Sequence, residues 1–186
     1  DRGDTHACFY IYIRRRQVAS HIVSVEPEGR GKMRNHQTLV EYGIVTAHII
    51  AGLSFLVLAI TAGLLYSLQF IHTYPLSGVE FFSPGRVRML HTNVGLYGWI
   101  LNGLLAGLYW VVPRVSGYQV LSKRLSWFIF WVLQALIAAT AIGILGGYAQ
   151  GIEFGETPLF VDPFIVFGLI LIAVNFYSPI IKSSRE

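Results

Sequence analysis

Charged residues are absent from four long stretches of this chain, residues 42–79, 89–113, 125–152 and 163–181. Each is long and apolar enough to cross a hydrocarbon core of roughly 30 Å as a helix, the last only just. The pattern predicts four membrane-spanning helices, over residues 39–72, 86–112, 125–148 and 163–181, and so an all-α polytopic membrane protein. Pro113 is expected to end the second helix, because proline has no N–H to give the backbone ladder. Between the first two helices, Pro75, Ser77, Gly78 and then Ser83-Pro84-Gly85 mark a loop.

Composition supports the same class. The chain is 54% hydrophobic and 13% charged, where a soluble domain carries about 25% charged residues. Its net charge of +4 then reports topology, with the lipid bilayer and not nucleic acid as the partner. Cys8 is the only cysteine, so no internal disulfide can form. Residues 1–32 differ from the rest: a short apolar run, Phe9 to Ile13, is followed by Arg14-Arg15-Arg16. They read either as a basic extension or as upstream sequence read in frame. Met33, directly before Arg34-Asn35-His36, favours the second, leaving residues 33–186 as the membrane portion.

The loop charges set an expected orientation. Basic residues flank the start of the first helix, the loop with Arg114, Lys123 and Arg124, and the end of the fourth helix with Lys182 and Arg185. By the positive-inside rule these faces are cytoplasmic, the N-terminus included. The loop after the third helix carries Glu153, Glu156 and Asp162 and no base. Arg86 and Arg88 therefore stand on the outer side, just before His91. A bound anion would account for them, and arginine pairs carboxylates in a bidentate way that lysine does not. His91 is either an interfacial or packing histidine or, about a turn inside the membrane, a metal ligand. An arginine pair suited to propionates and a histidine one turn deeper together make a candidate haem site. At helical spacing the His91 face continues through Gly95, Gly98 and Asn102, which leaves either a slot for a flat macrocycle or room for close helix packing. Gly103 and Gly107 form a small-xxx-small pair of the packing kind. His48 lies deep in the first apolar run, as a ligand or proton-path residue or as a histidine bonded to a neighbouring helix. His72 falls where that helix leaves the membrane.

The run Gly85-Arg86-Val87-Arg88-Met89-Leu90-His91-Thr92-Asn93 resembles the start of the second helix in subunit I of cbb3-type cytochrome c oxidases, which reads G-R-L-R-P-L-H-T. The resemblance extends over residues 39–177. It takes in Asn102, Tyr109-Trp110-Val111-Val112, the aromatic run Trp127 to Trp131 with Gln134, Glu153-Phe154-Gly155-Glu156 against the family's E-Y-x-E, and Val161-Asp162. Met89 departs from the family's proline. The catalytic subunits of nitric oxide reductases share the arginine–histidine motif and the paired glutamates.

The resemblance implies that His91 is one axial ligand of a low-spin haem b, that Arg88 and less directly Arg86 hold its propionates, and that Glu153 and Glu156 sit near a calcium-linked carboxylate cluster. It implies a bacterial inner-membrane enzyme that reduces dioxygen to water with electrons from cytochrome c and moves protons. The family subunit has about twelve helices. The second haem ligand, the high-spin haem site, the copper histidines and a cross-linked tyrosine all lie in later ones. The chain would then be the N-terminal part of such a bundle, inactive alone, with the remaining helices of subunit I and membrane-anchored cytochrome c subunits as partners. A nitric oxide reductase portion and a non-enzymatic helical bundle are the other readings. A reporter fused within residues 117–122 is expected to read cytoplasmic and one near Gly155 periplasmic. The reverse pattern would overturn the orientation.

Overall fold

The computed structural model describes residues 39–184. The extension assigned to residues 1–32, the Met33 start and Arg185 lie outside the described residues. The described residues form four long helices and contain no strand. Helix α1 covers Tyr42–Ser67 and continues through a 3₁₀ turn, Leu68–Ile71, to His72, whose φ of 58° stops it. Helix α2 runs Pro84–Ser116, α3 Lys123–Leu145 and α4 Asp162–Ser183, and each of the four is long and apolar enough to span a bilayer.

Local chemistry explains the ends. Pro84 opens α2 at its first turn, where a missing N–H costs nothing. The Ser122 hydroxyl caps α3 by accepting from the Leu125 N–H. That helix ends three residues before the expected position. Gly147 turns left-handed at φ 88°, the Tyr148 N–H reaches the Gly143 carbonyl at 2.9 Å, and the Gly147 N–H reaches Ile144 at 3.1 Å. This paired motif closes a helix on its own carbonyls.

Pro113 does not end α2, as the sequence led us to expect. It is buried within the helix, which goes on to Ser116 and stops at Gly117, φ 75°. A proline inside a membrane helix is tolerated where neighbours take up the freed backbone groups. Helix α4 shows how. Pro179 lacks the N–H that would bond the Asn175 carbonyl, and the Leu121 N–H takes that carbonyl instead at 3.2 Å. The α2–α3 loop is thereby tied to α4. The middle of α2, Val94–Ile100, is a π-helix.

Helix α2 touches α1, α3 and α4, whereas α1 and α3 meet over a short stretch. The core gathers Ile44 and Val45 of α1, Leu105 and Tyr109 of α2, Phe130 and Leu133 of α3, and Phe176 of α4. Side chains on the outside are as apolar as those within: Ile50, Leu53, Val57 and Leu64 of α1 and Phe164, Val166 and Ile170 of α4 are all exposed. Such a surface would be a large apolar patch in water. In a membrane it faces lipid or further helices.

The α1–α2 contact decides what the α2 glycines do. Gly95 faces Ala59, and a Cβ at Gly98 would lie 2.7 Å from the Phe55 ring. The face below His91 is therefore filled by α1 and leaves no open slot. Gly52, whose added Cβ would lie 3.4 Å from Asn102, lets the two backbones close further along. Gly103 and Gly107 have nothing within 4 Å of an added Cβ, so among the described residues the side-chain direction of each is open. The tightest glycine is Gly143, where an added Cβ would lie 2.2 Å from Pro158 Cγ. Gly143→Ala is expected to push the α3–α4 loop off α3 and to cost about 1–3 kcal/mol, read as a lower melting temperature of the solubilised protein.

Candidate functional site

His91 sits on α2 seven residues after Pro84, about 10 Å along the axis at 1.5 Å per residue. Its Nδ1 lies 2.7 Å from the carbonyl oxygen of Ala59 on α1. A carbonyl only accepts, so Nδ1 carries the proton and the lone pair is on Nε2. Among the described residues Nε2 has no hydrogen-bond partner. The ring lies over Gly63 of α1, where an added Cβ would come 2.8 Å from Cε1 and 2.9 Å from Nδ1. Only glycine leaves room for an imidazole in this position. Histidine binds metals in this form, with one nitrogen fixed by a carbonyl and the other left free. The donor set therefore fits an axial haem ligand.

Arg88 is three residues before His91, on the same helical face. It is part-buried and has no hydrogen-bond or ion-pair partner among the described residues. Arg86 differs. Its guanidinium donates to the Leu145 carbonyl at 2.9 Å and to the Glu80 carbonyl at 3.1 Å, and it pairs with Glu80 Oε1 at 2.9 Å. Gly147 makes way for it, since an added Cβ would lie 2.8 Å from Nη2. Glu80 is 85% exposed, so that ion pair adds little stability. The bond to Leu145, which joins the start of α2 to the end of α3, contributes more.

The two glutamates of the α3–α4 loop face different surroundings. Glu153 is exposed, while Glu156 is 3% exposed and accepts from Asn93 Nδ2 at 2.9 Å. Between them Phe154 adopts φ 61°, and the Tyr97 hydroxyl donates to its carbonyl at 2.7 Å. Further along, the Asp162 carboxylate accepts from Gln150 Nε2 and Thr157 Oγ1 at 2.7 and 2.6 Å. Among the described residues no group of three or more His, Cys, Asp and Glu side chains could hold a metal ion. The loop is docked on the helix that carries His91, through Asn93 and Tyr97.

His48 is bonded to a neighbouring helix, one of the two readings its position allowed. Its Nδ1 is 2.8 Å from Asn102 Oδ1, and its ring stacks on Tyr109 and meets Phe130 edge-on. Sequence reasoning missed Gly63 and Asn93. Gly63 carries no sign of its role, because its partner lies 28 residues away on another helix. Asn93 could have been noticed as an amide in an apolar run, but nothing in sequence points it at a loop carboxylate 63 residues on.

A four-helix membrane unit with one oriented, metal-competent histidine behind an unpaired arginine defines the class, and the comparisons supply the family. Residues 43–186 match the family described as Cytochrome C and Quinol oxidase polypeptide I, and the chain belongs to that family. It is similar to a cytochrome c oxidase subunit 1 homolog of Agrobacterium tumefaciens (strain T37), 32% identical over 125 residues, covering 67% of this chain and 22% of that protein. It is similar to the cbb3-type cytochrome c oxidase subunit CcoN1 of Stutzerimonas stutzeri, 25% identical over 145 residues, with 78% of this chain and 31% of that protein covered. It also resembles a nitric oxide reductase chain of Stutzerimonas stutzeri, 36% identical over 58 residues, 31% of this chain and 12% of that protein. The chain spans 22% and 31% of the length of these two cytochrome c oxidase relatives.

Gly63→Ala tests the cradle. It is expected to displace the imidazole, break the bond to the Ala59 carbonyl and destabilise the protein by about 1–3 kcal/mol. A structure of the variant would show Nδ1 beyond hydrogen-bond reach of that oxygen, and an undisturbed imidazole would contradict the assignment.

Proposed function

We propose that this chain is part of the catalytic subunit of a membrane terminal oxidase that reduces dioxygen to water with electrons from cytochrome c, coupled to proton translocation. Its own contribution is one axial ligand, His91 Nε2, to a low-spin haem b. The observation that carries the reading is the His91 Nδ1 bond to the Ala59 carbonyl, which leaves Nε2 as the free donor. A haem bound there supplies one-electron transfer through its iron. Arg88, unpaired one turn toward the helix start, pairs with a propionate. Arg86, held by Glu80 and Leu145, braces the helix entry and adds positive charge nearby. Glu153 and Glu156 belong to the same outer loop, with Glu156 setting its position and Glu153 open to a calcium ion completed by groups from elsewhere.

In this reading the protein lies in a bacterial inner membrane with the N-terminal side cytoplasmic. The second haem ligand, the high-spin haem and the copper site come from the remaining helices of the subunit, and membrane-anchored cytochrome c subunits deliver electrons. Resemblance in the aromatic run Trp127 to Trp131 with Gln134, and in Val161-Asp162, favours a cbb3-type oxidase. The match to a nitric oxide reductase supports a second reading, reduction of nitric oxide on the same scaffold. Oxygen and nitric oxide consumption by the full-length protein separates the two.

The test of the haem assignment is spectroscopic. In the full-length protein His91→Ala is expected to remove the low-spin haem b signal from reduced-minus-oxidised spectra. Arg88→Ala is expected to keep the haem and lower its reduction potential, because a nearby positive charge favours the reduced, less positive iron. A His91→Ala protein with an intact six-coordinate low-spin spectrum would refute the assignment.

A further inference from the structure

Helices α2, α3 and α4 do not close fully on one another. Between them runs a cavity of about 60 Å³. One face of each helix lines it, from Leu90 to Leu101 on α2, Ile129 to Ala141 on α3 and Ile165 to Ile172 on α4. At 1.5 Å per residue these stretches run for roughly 10–18 Å, so the space is long and narrow and follows the helix axes. Leu169 of α4 lines it and is itself 54% exposed, which opens it toward the surroundings of α4.

The lining is graded. Its polar side chains, Asn93, Tyr97, Thr140 and Thr157, belong to the end nearest the α3–α4 loop, and toward Leu101 and Ile129 it is apolar. Three of the four donors are engaged: Asn93 Nδ2 on the Met89 carbonyl and Glu156, the Tyr97 hydroxyl on the Phe154 carbonyl, and Thr157 Oγ1 on Asp162. Thr140 is 5% exposed, and its hydroxyl makes no hydrogen bond among the described residues. Ser54, Thr61 and Ser126 turn their hydroxyls back onto the carbonyl four residues earlier, and Thr140 does not. A buried hydroxyl without an acceptor is costly. The occupant of this space is therefore apolar along most of its length and carries an acceptor where it meets Thr140.

A helix is about 10–12 Å across and does not fit. An apolar side chain reaching in from a neighbouring helix brings no acceptor. The acyl chain of a phospholipid meets both demands, being a single file of methylenes that ends in an ester carbonyl at the edge of the hydrocarbon core. Thr140 stands five residues before the end of α3 at Leu145, about 7.5 Å along the axis, close to that edge. An ester on the loop side sends its chain toward the bilayer centre, the direction in which the lining loses its polar groups.

We propose that the cavity between α2, α3 and α4 binds one acyl chain of a membrane phospholipid, entered past Leu169, with the Thr140 hydroxyl donating to the ester carbonyl. The chain fills the gap between α4 and the rest of the bundle. Gly168, on the α4 side of the lining, sets its width. An added Cβ there would lie 3.8 Å from Leu136 Cδ1 and 4.0 Å from Val132 Cγ1, so a first carbon is accommodated and a longer side chain takes space from the lipid.

The test uses the full-length protein in detergent. Native mass spectrometry is expected to show one phospholipid retained through delipidation, and a structure to show continuous density from Thr140 past Leu133. Gly168→Leu is expected to release that lipid, whereas Phe167→Leu, on the exposed face beside it, keeps it. Thr140→Val keeps the shape and loses the hydroxyl, and is expected to give the lipid up at a lower detergent concentration. If Gly168→Leu does not fold, a phospholipid with brominated acyl chains exchanged into the unmodified protein reads the same site, with bromine density expected beside Leu133. A side chain of a later helix in the cavity, a quinone there, a cavity without density, or a lipid held as tightly by Gly168→Leu or Thr140→Val as by the unmodified protein would overturn the proposal.

Discussion

Inside an apolar bundle every polar group has to find its partner within the protein, because lipid offers none. That constraint arranges most of what is distinctive here. Helix α2 is the hub. Toward α1 it sends His91 to the Ala59 carbonyl and Asn102 to His48. Toward α3 it receives Gln134 on Asn102. Toward the α3–α4 loop it sends Asn93 to Glu156 and Tyr97 to Phe154. Toward α4 its Tyr109 hydroxyl accepts from Asn175. Apolar contacts alone would let the helices slide and rotate against one another, since apolar surface is equally content against lipid. These directional bonds fix the rotation of α2, and with it where His91 points.

The same accounting extends to the backbone. Pro179 frees the Asn175 carbonyl, and the α2–α3 loop takes it up through the Leu121 N–H. The Asn175 side chain then receives the Ser122 N–H and donates to Ser126. A proline that would break an isolated helix here becomes the anchor that holds a loop. At the other end of the bundle the guanidinium of Arg86 takes the terminal Leu145 carbonyl. Both ends are thus closed by groups that would otherwise be unsatisfied.

The histidine site follows from this frame. A glycine on α1 admits the ring, and a backbone carbonyl on α1 sets its tautomer. The orienting partner is main chain, so a change of side chain at residue 59 would leave it in place. Arg88 keeps its charge unpaired among the described residues, while Arg86, two residues earlier, is spent on structure. Two arginines of the same motif thereby have separable roles. Packing separates the loop glutamates in a similar way: Glu156 is drawn inward by an amide, and Glu153 is left at the surface.

The sequence by itself determined the class. Four uncharged apolar stretches can only be four spanning helices, since an unpaired backbone cannot cross a membrane in any other open form. It also placed His91 and Arg88 on one face at a helix start, because residues three apart on a helix share a face whatever surrounds them. Tertiary structure decided the rest. Whether Gly98 leaves a slot or receives Phe55 depends on how near α1 comes. Whether Pro113 ends a helix depends on what neighbours offer the freed backbone groups. Whether Arg86 and Arg88 act alike depends on a carbonyl at the end of α3. The partners of His91, Asn93 and His48 lie 32, 63 and 54 residues away. Hydrogen bonds over such separations leave no periodic trace in a single chain, so only the packed helices reveal them.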